Sequence, residues 1–354
     1  VQSNFLIIGA GAVGLTSAIA LLQAGYKVTL VERGNVGQEA SWAGGGILSP
    51  LCSWDYQVPV TRLAHRSMAM FAEAAESLHQ TTGIDPEYQR SGMLLLPPFK
   101  AEQAQQWCVQ HQFPAQPVNV SDYLPTENQT GLLLPDVAQV RNPRWVSALR
   151  KLVEMLGGEI LEQHEVLSFV HEAGRIIALL TKRGKLCADA YIVTAGAWSQ
   201  QLLGEQAMHL DIRPIRGQIL LFKFDASPFQ QILLKKDLYL IPRRDGHVLA
   251  GSTLEDVGFD KSTTVEAREG LLKRVYEIFP EWENVQPIKH WAGFRPGSPD
   301  NIPTIGRHPS ISNLYVNSGH YRYGVTMSLA SAELLLNEIT GRTQSFSVEE
   351  YCWR

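Results

Sequence analysis

Thirty residues near the start, NFLIIGAGAVGLTSAIALLQAGYKVTLVER, constrain this chain more than any other stretch. The apolar run from about Phe5 to Ile8 predicts a strand, Gly9, Gly11 and Gly14 predict a tight turn, and the periodicity from about Val13 to Gln23 predicts a helix closed by Gly25. A second strand over Lys27 to Glu32 completes a strand-helix-strand unit. Glu32 lies 18 residues after Gly14, which completes the dinucleotide-binding fingerprint. The glycines let backbone N–H groups approach a pyrophosphate at the helix N-terminus, and the Glu32 carboxylate can accept both ribose hydroxyls, excluding a 2′-phosphate. Residues 1–26 carry no charged side chain, and hydropathy alone would read them as a membrane span or a leader segment. The glycines divide that run and no basic segment precedes it, so no membrane span is expected.

The fingerprint does not separate NAD from FAD. ASWAGGGILSP, at 40–50, does more: three consecutive glycines let backbone press against a large planar ring such as a flavin, although a flexible loop has the same composition. SGHYRYGVT, at 318–326, precedes a second helix start whose N–H dipoles suit the negative charge of a reduced flavin's pyrimidine edge; a plain strand-to-helix turn reads the same way. No second G-x-G-x-x-G and no C-x-x-C are present, which disfavours an NAD-dependent dehydrogenase or a flavin disulfide reductase.

Arg295, in WAGFRPGSP, has no acidic residue nearer in sequence than Asp300. A planar guanidinium meets a planar carboxylate in two parallel hydrogen bonds, so Arg295 is a candidate receptor for a substrate carboxylate, with the Tyr239 phenol as a third donor. Pairing with Asp300, or stacking over Trp291, remains open from sequence.

The remaining totals bound the class. The 354 residues, 45% hydrophobic and 19% charged, suffice for about two to three domain cores. A net charge of −4 and a pI near 6.2 give no basic field for nucleic acid. Cys52, Cys108, Cys187 and Cys352 are widely spaced and no His cluster has metal-ligand spacing, so no metal is expected and reduced thiols in a cytoplasmic protein fit. A helix over Val60–Thr82 is predicted to bury Ala64, Met68, Phe71, Ala75 and Leu78. Asn142 is predicted to cap a helix with Pro143 in its first turn and Val146, Leu149, Val153 and Leu156 inside. Short apolar runs between 92 and 135, a meander from 165 to 190 with turns at Ala173-Gly174 and Arg183-Gly184, strands between 218 and 252, and a last helix over Val325–Ile339 complete the pattern.

In this order the motifs IIGAGAVGL, VERG, EASWAGGGILSP, IVTAGAWS, RPIRGQ, YLIPRRDG, WAGFRPGSPDNIPTIGRHP and GHYRYG resemble the FAD-dependent D-amino-acid oxidase family, most closely its bacterial glycine oxidases of thiamine biosynthesis. The resemblance implies an α/β fold: a Rossmann-like FAD-binding domain of glutathione-reductase type (1–84, 142–212 and 290–354) with an interleaved α+β substrate domain on a mostly antiparallel sheet (85–141 and 213–289). It implies Arg295 and Tyr239 on the substrate carboxylate and Arg322 at the active-site wall. For FAD it implies Ala12 and Val13 at the phosphates, Glu32 and Arg33 at the ribose, and Ala40 and Ser41 near the pyrophosphate. It further implies Gly45, Gly46 and Ile47 along the ring, the Val166 backbone at adenine, and His320, Tyr321, Arg322, Tyr323, Gly324, Val325 and Thr326 around the pyrimidine edge.

There are departures. Tyr323 stands where relatives often have Asn, which bears on pocket size near the reacting carbon, and Asp237 stands where some have His. No cysteine occurs between 296 and 305, so FAD is expected to be non-covalent. The implied reaction is hydride transfer from a small amino acid such as glycine, sarcosine or a small D-amino acid, without a side-chain acid or base. Dioxygen is the implied acceptor, and imine, 2-oxo acid, ammonia and hydrogen peroxide are the products; the imine would serve thiamine thiazole synthesis. A dehydrogenase of the same fold that passes electrons to a quinone or protein stays open, as does homo-oligomerisation.

Overall fold

A computed structural model of the chain describes residues 3–125 and 128–353. The opening unit forms strand Asn4–Ile8, helix Ala12–Gln23 and strand Lys27–Val31, with the two strands parallel and Phe5 opposite Val28. They lie inside a six-stranded sheet in the order Thr304–Arg307, Leu314–Ser318, Ala190–Val193, Asn4–Ile8, Lys27–Val31, Glu159–Leu161. All neighbours are parallel except the first strand, which runs antiparallel at the edge. Side chains of a strand alternate between faces, and both faces are covered here, which is why the inner strands are mostly apolar on both sides. Ile7, Leu30 and Ile192 face helices Ala12–Gln23, Val58–Thr82, Asn142–Met155 and Gly324–Thr340. Leu6, Ile8, Tyr191 and Val193 face the meander Val166–Glu172, Arg175–Thr181, Gly184–Leu186. Its first turn has Ala173 at φ 48° and Gly174 at φ 73°, the pair of left-handed residues that a two-residue hairpin turn requires.

The second sheet has eight strands in the order Lys289–Gly297, Arg213–Lys223, His247–Gly251, Leu238–Pro242, Ile232–Lys235, Met93–Leu95, Thr130–Leu134, Gln116–Asn119. Only the pairing of Ile232–Lys235 with Met93–Leu95 is parallel. One face, with Leu220, Phe222, Leu240 and Val248, packs on Leu271, Leu272 and Val275 of helix Val265–Tyr276. The opposite face carries Ile219, Tyr239, Ile241 and Leu249.

Several expectations shift. The division at residue 290 falls within strand Lys289–Gly297, whose nine residues pair along Arg213–Leu221, so the strand bearing Arg295 is part of the antiparallel sheet. Asn142 is the first residue of its helix and not its cap; Arg141 precedes it in extended conformation, and the Asn142 amide is turned toward Gly44 and Gly46. In the same helix Leu156 is exposed, and Trp145 fills the core position beside Phe71, with ring centroids 4.9 Å apart. Met68 is only half-buried, while Ser67 is buried against helix Gly324–Thr340.

Phe71 packs on Trp145 where the long helix crosses its neighbour, so Phe71→Ala leaves a cavity that rigid helices cannot close. The expected loss is about 3 to 5 kcal/mol of unfolding free energy in chemical denaturation; a loss below about 1 kcal/mol would mean that this contact does not hold the helices together.

Candidate active site

The first turn is built by close approach. Gly9 has φ +111°, and a Cβ there would lie 2.6 Å from the Thr194 carbonyl oxygen. A Cβ on Gly14 would run into the Gly9 carbonyl and the Thr194 hydroxyl, which itself donates to Gly9 O at 2.7 Å. Gly11 passes Ser41 so closely that a Cβ would sit 3.0 Å from its Oγ, and the Ala12 N–H donates to that Oγ at 2.8 Å. The Glu32 carboxylate is fixed by the N–H groups of Ala10 and Gly34, each at 2.9 Å on a different oxygen. Arg33 stacks 3.6 Å over the Trp198 ring and pairs with Glu39 at 3.1 Å.

The glycine triplet lies against the other sheet. A Cβ on Gly45 would fall 2.5 Å from Ile241 Cδ1, and Gly46 adopts φ +74° beside the Val140 carbonyl. Beneath the loop, the buried Arg243 donates to Gly45 O at 2.7 Å, Val140 O at 3.0 Å and Gln139 Oε1 at 2.7 Å. Burial pushes its pKa down to about 10. Sequence reasoning did not single out Arg243, although YLIPRRDG contains it; its role depends on a contact across 198 residues. The Thr326 hydroxyl donates to Ile47 O at 2.9 Å and ties the triplet to the N-terminus of helix Gly324–Thr340.

Around that helix start, Gly319 at φ +84° and Tyr321 at φ 47° turn the chain. Tyr323 lines the cavity while most of its ring is buried in the helical core; its hydroxyl donates to Tyr56, and it accepts the Leu51 N–H at 3.2 Å. Arg322 is exposed, 5.6 Å from the Tyr321 ring centroid; against burial, the phenols of Tyr56, Tyr323 and Tyr321 raise its pKa. Asp237 is exposed and pairs with Arg274 at 3.2 Å.

Arg295 does not pair with Asp300, which sits on the exposed turn Pro299–Asn301, and Trp291 instead donates its indole N–H to Ala43 O at 3.1 Å. Nη1 donates to Thr253 O at 3.2 Å and Arg216 O at 3.4 Å, and Nη2 donates to the Ser252 hydroxyl. These partners and the Tyr239 phenol beside them are all neutral, and a planar guanidinium held in this way can present an edge to both oxygens of a carboxylate. Burial lowers the pKa of Arg295, the Tyr239 phenol beside it works the other way, and Arg322 lowers it again. Among the described residues no carboxylate is a hydrogen-bond partner of this guanidinium.

One cavity of about 820 Å³ runs from the first turn to Arg295. It is lined by Gly9, Gly11, Ala12, Val13, Glu32, Arg33, Ala40, Ser41, Gly45, Gly46, Ile47, Val166, Tyr239, Arg295 and the whole of 320–326. Gly14 stays behind the turn. The cavity fits a dinucleotide with a planar ring: an anion-compatible helix start and a fixed ribose-height carboxylate at one end, and backbone bared by Gly45 at the other. Among the described residues no group of three His, Cys, Asp or Glu is placed to hold a metal, and no helix is long and apolar enough to cross a membrane.

Residues 4–337 match the family described as DAO, FAD dependent oxidoreductase. The chain belongs to this family. It is 42% identical over 348 residues to a glycine oxidase of Pseudomonas aeruginosa, covering 96% of each chain. It is 33% identical to the bifunctional protein ThiO/ThiG of a Synechocystis, over 94% of this chain and 51% of that one. The crystal structure of glycine oxidase from Geobacillus kaustophilus superposes with a TM-score of 0.94 at 24% identity, over 100% and 99% of the two chains. FAD is thus the cofactor of this oxidoreductase.

His320 is the one imidazole that reaches this cavity from the 318–326 turn. It is fully buried, with Nε2 2.8 Å from Ser331 Oγ, and burial pushes its pKa down to about 3. It stays neutral in any ordinary buffer and is no proton donor at pH 7. An unfolded His titrates near 6.5, so below that pH the unfolded chain takes a proton that the folded one refuses. Its contribution to stability is complete above about pH 6.5 and falls by about 1.4 kcal/mol per pH unit toward pH 3. Urea unfolding across pH 4–7 is expected to fall more steeply with acid in the native protein than in His320→Gln, by this slope; parallel curves would contradict a buried neutral imidazole.

Proposed function

We propose that this oxidoreductase oxidises glycine or another small primary or secondary amino acid, such as sarcosine or a small D-amino acid, with dioxygen as acceptor. The products would be the imine, its hydrolysis products 2-oxo acid and ammonia, and hydrogen peroxide. The observation that carries the reading is the Arg295 guanidinium, held by neutral groups and without a carboxylate partner, in the same cavity as the dinucleotide turn.

The turn at Gly11–Val13, Glu32, Ser41 and the stretch Gly45–Ile47 would hold FAD, which supplies a two-electron acceptor when bound. The chain's own groups have a different task. Arg295 takes the substrate carboxylate in a fork, Tyr239 adds a phenol donor, and Arg322 contributes positive charge at the wall. With the carboxylate fixed, the α carbon is held in one orientation, and orientation alone contributes on the order of 7 to 11 kcal/mol toward a barrier. No side-chain base is required once the amine has lost its proton to water; His320 is unsuited to that role, because burial leaves it with a pKa of about 3, too weak a base, and its Nε2 lies on Ser331. Helix Gly324–Thr340 directs its N-terminal dipole into the cavity, where it favours negative charge. Glycine as the preferred substrate is supported by the Pseudomonas aeruginosa relative, and a glycine imine would be the form delivered to thiazole formation in thiamine biosynthesis.

The test combines spectroscopy and kinetics. Glycine added without oxygen should bleach the flavin of the purified protein, and air should restore the colour with release of peroxide. Arg295→Lys keeps the charge and loses the fork, so the KM for glycine is expected to rise on the order of a hundredfold with FAD retained. An unchanged KM would remove the carboxylate from Arg295; bleaching without peroxide in air would favour a different electron acceptor.

A further inference from the structure

The cavity-facing side of the eight-stranded sheet is unusually bare where Arg295 and Tyr239 lie on it. Gly217 pairs with Gly293, and Arg295, two residues beyond Gly293, projects from the same face. Its side chain runs diagonally back across strand Arg213–Lys223. A Cβ on Gly217 would fall 2.5 Å from Arg295 Cζ and closer still to both terminal nitrogens. The guanidinium therefore occupies the volume that any side chain at 217 would need. Tyr239 repeats the arrangement: it pairs with Gly251, where a Cβ would lie 2.8 Å from its Cζ and Oη.

We propose that Gly217 is a positioning residue for substrate capture. Its bare backbone seats the Arg295 head flat on the sheet, at the depth where Nη1 reaches the Arg216 and Thr253 carbonyls and no protein carboxylate reaches the guanidinium among the described residues. Gly251 seats the Tyr239 phenol beside it in the same way. Gly217 does not adopt a left-handed φ, so conformational freedom does not demand glycine there; the space under the guanidinium does. A methyl group at 217 would push the head outward by about 1 Å or more, since non-bonded contacts settle near 3.5 Å. A displacement of that size at a positioning group costs up to about a hundredfold. Because the obstructed atoms are the free end of a flexible side chain, the backbone need not move.

This inference rests on Arg295 being the carboxylate receptor, and the experiment separates the two. FAD-loaded Gly217→Ala, Arg295→Lys, the double variant, and Gly270→Ala are compared; Gly270 lies in helix Val265–Tyr276 with nothing within 4 Å of its would-be Cβ. The readouts are glycolate binding by flavin absorbance, glycine KM, melting temperature and FAD retention. Gly217→Ala is expected to weaken glycolate and raise KM about ten- to hundredfold with melting and FAD unchanged. In the Arg295→Lys background the same change should cost less than about threefold, because the residue it acts through has lost its fork. Glycolate binding by Gly217→Ala within about threefold of native would overturn the proposal, as would an equal loss in both backgrounds. Failure of Gly217→Ala to fold or hold FAD while Gly270→Ala does so would overturn it too, since glycine would then serve the backbone. If Arg295→Lys alone leaves glycolate binding unchanged, the receptor reading itself fails.

Discussion

A guanidinium that is withdrawn from water and given no counter-ion organises this molecule. Leaving such a charge uncompensated costs several kcal/mol, and the fold meets part of that cost with two carbonyls and a hydroxyl from the strand Arg213–Lys223 and the turn after Gly251. Those neutral partners hold the head in place without neutralising it. The rest of the positive charge is directed into the cavity, so the ground state of the protein is already arranged for an anion. A carboxylate from the protein in that position would have made a more stable ion pair and closed the site.

The two sheets divide the labour around this point. The parallel sheet supplies the turn at Gly9–Val13 and the carboxylate of Glu32, both at the ends of strands where helix dipoles and free N–H groups gather. The antiparallel sheet supplies a flat wall that bears Arg295 and Tyr239. The loop at Gly44–Gly46 lies between them, pinned from below by Arg243 and from the side by Thr326. Its lack of side chains brings backbone to the wall, and thus sets the distance between the dinucleotide end and the carboxylate end of one cavity. Loop Ser252–Thr264 adds a tie across the halves: Arg216 binds Glu255 and Asp260, Lys261 reaches Glu39 at 2.6 Å, and Phe259 stacks on Trp198.

Much of this was legible in the sequence because it is local. The strand, turn and helix at 4–31 follow from glycine spacing and apolar periodicity, and the Ala173-Gly174 turn from two residues that tolerate left-handed backbone. The errors arise where a position is decided by what packs against it. Leu156 continues the helical stripe but lies at a free helix end, while Trp145, one step off the stripe, meets Phe71. Asn142 has the side chain of a cap, yet it falls one residue inside the helix with its amide turned toward the glycine loop. Tyr323 occupies a site motif but finds Tyr56 in the core. The partners of Arg295 were invisible for the same reason: they are backbone carbonyls of residues 42 and 79 positions away, brought near only by strand register. Gly217 and Gly251 look like weak points of strands until that register is known.

The most direct measurement is a crystal structure of the FAD-loaded protein soaked with glycolate, a carboxylate that lacks the amine. The account predicts both glycolate carboxylate oxygens within hydrogen-bonding distance of Arg295 Nε and Nη2, with the Tyr239 hydroxyl on one of them and the contacts to Ser252 and Thr253 kept. Glycolate bound elsewhere in the cavity, or an Arg295 head rotated toward solvent or onto a protein carboxylate, would contradict it.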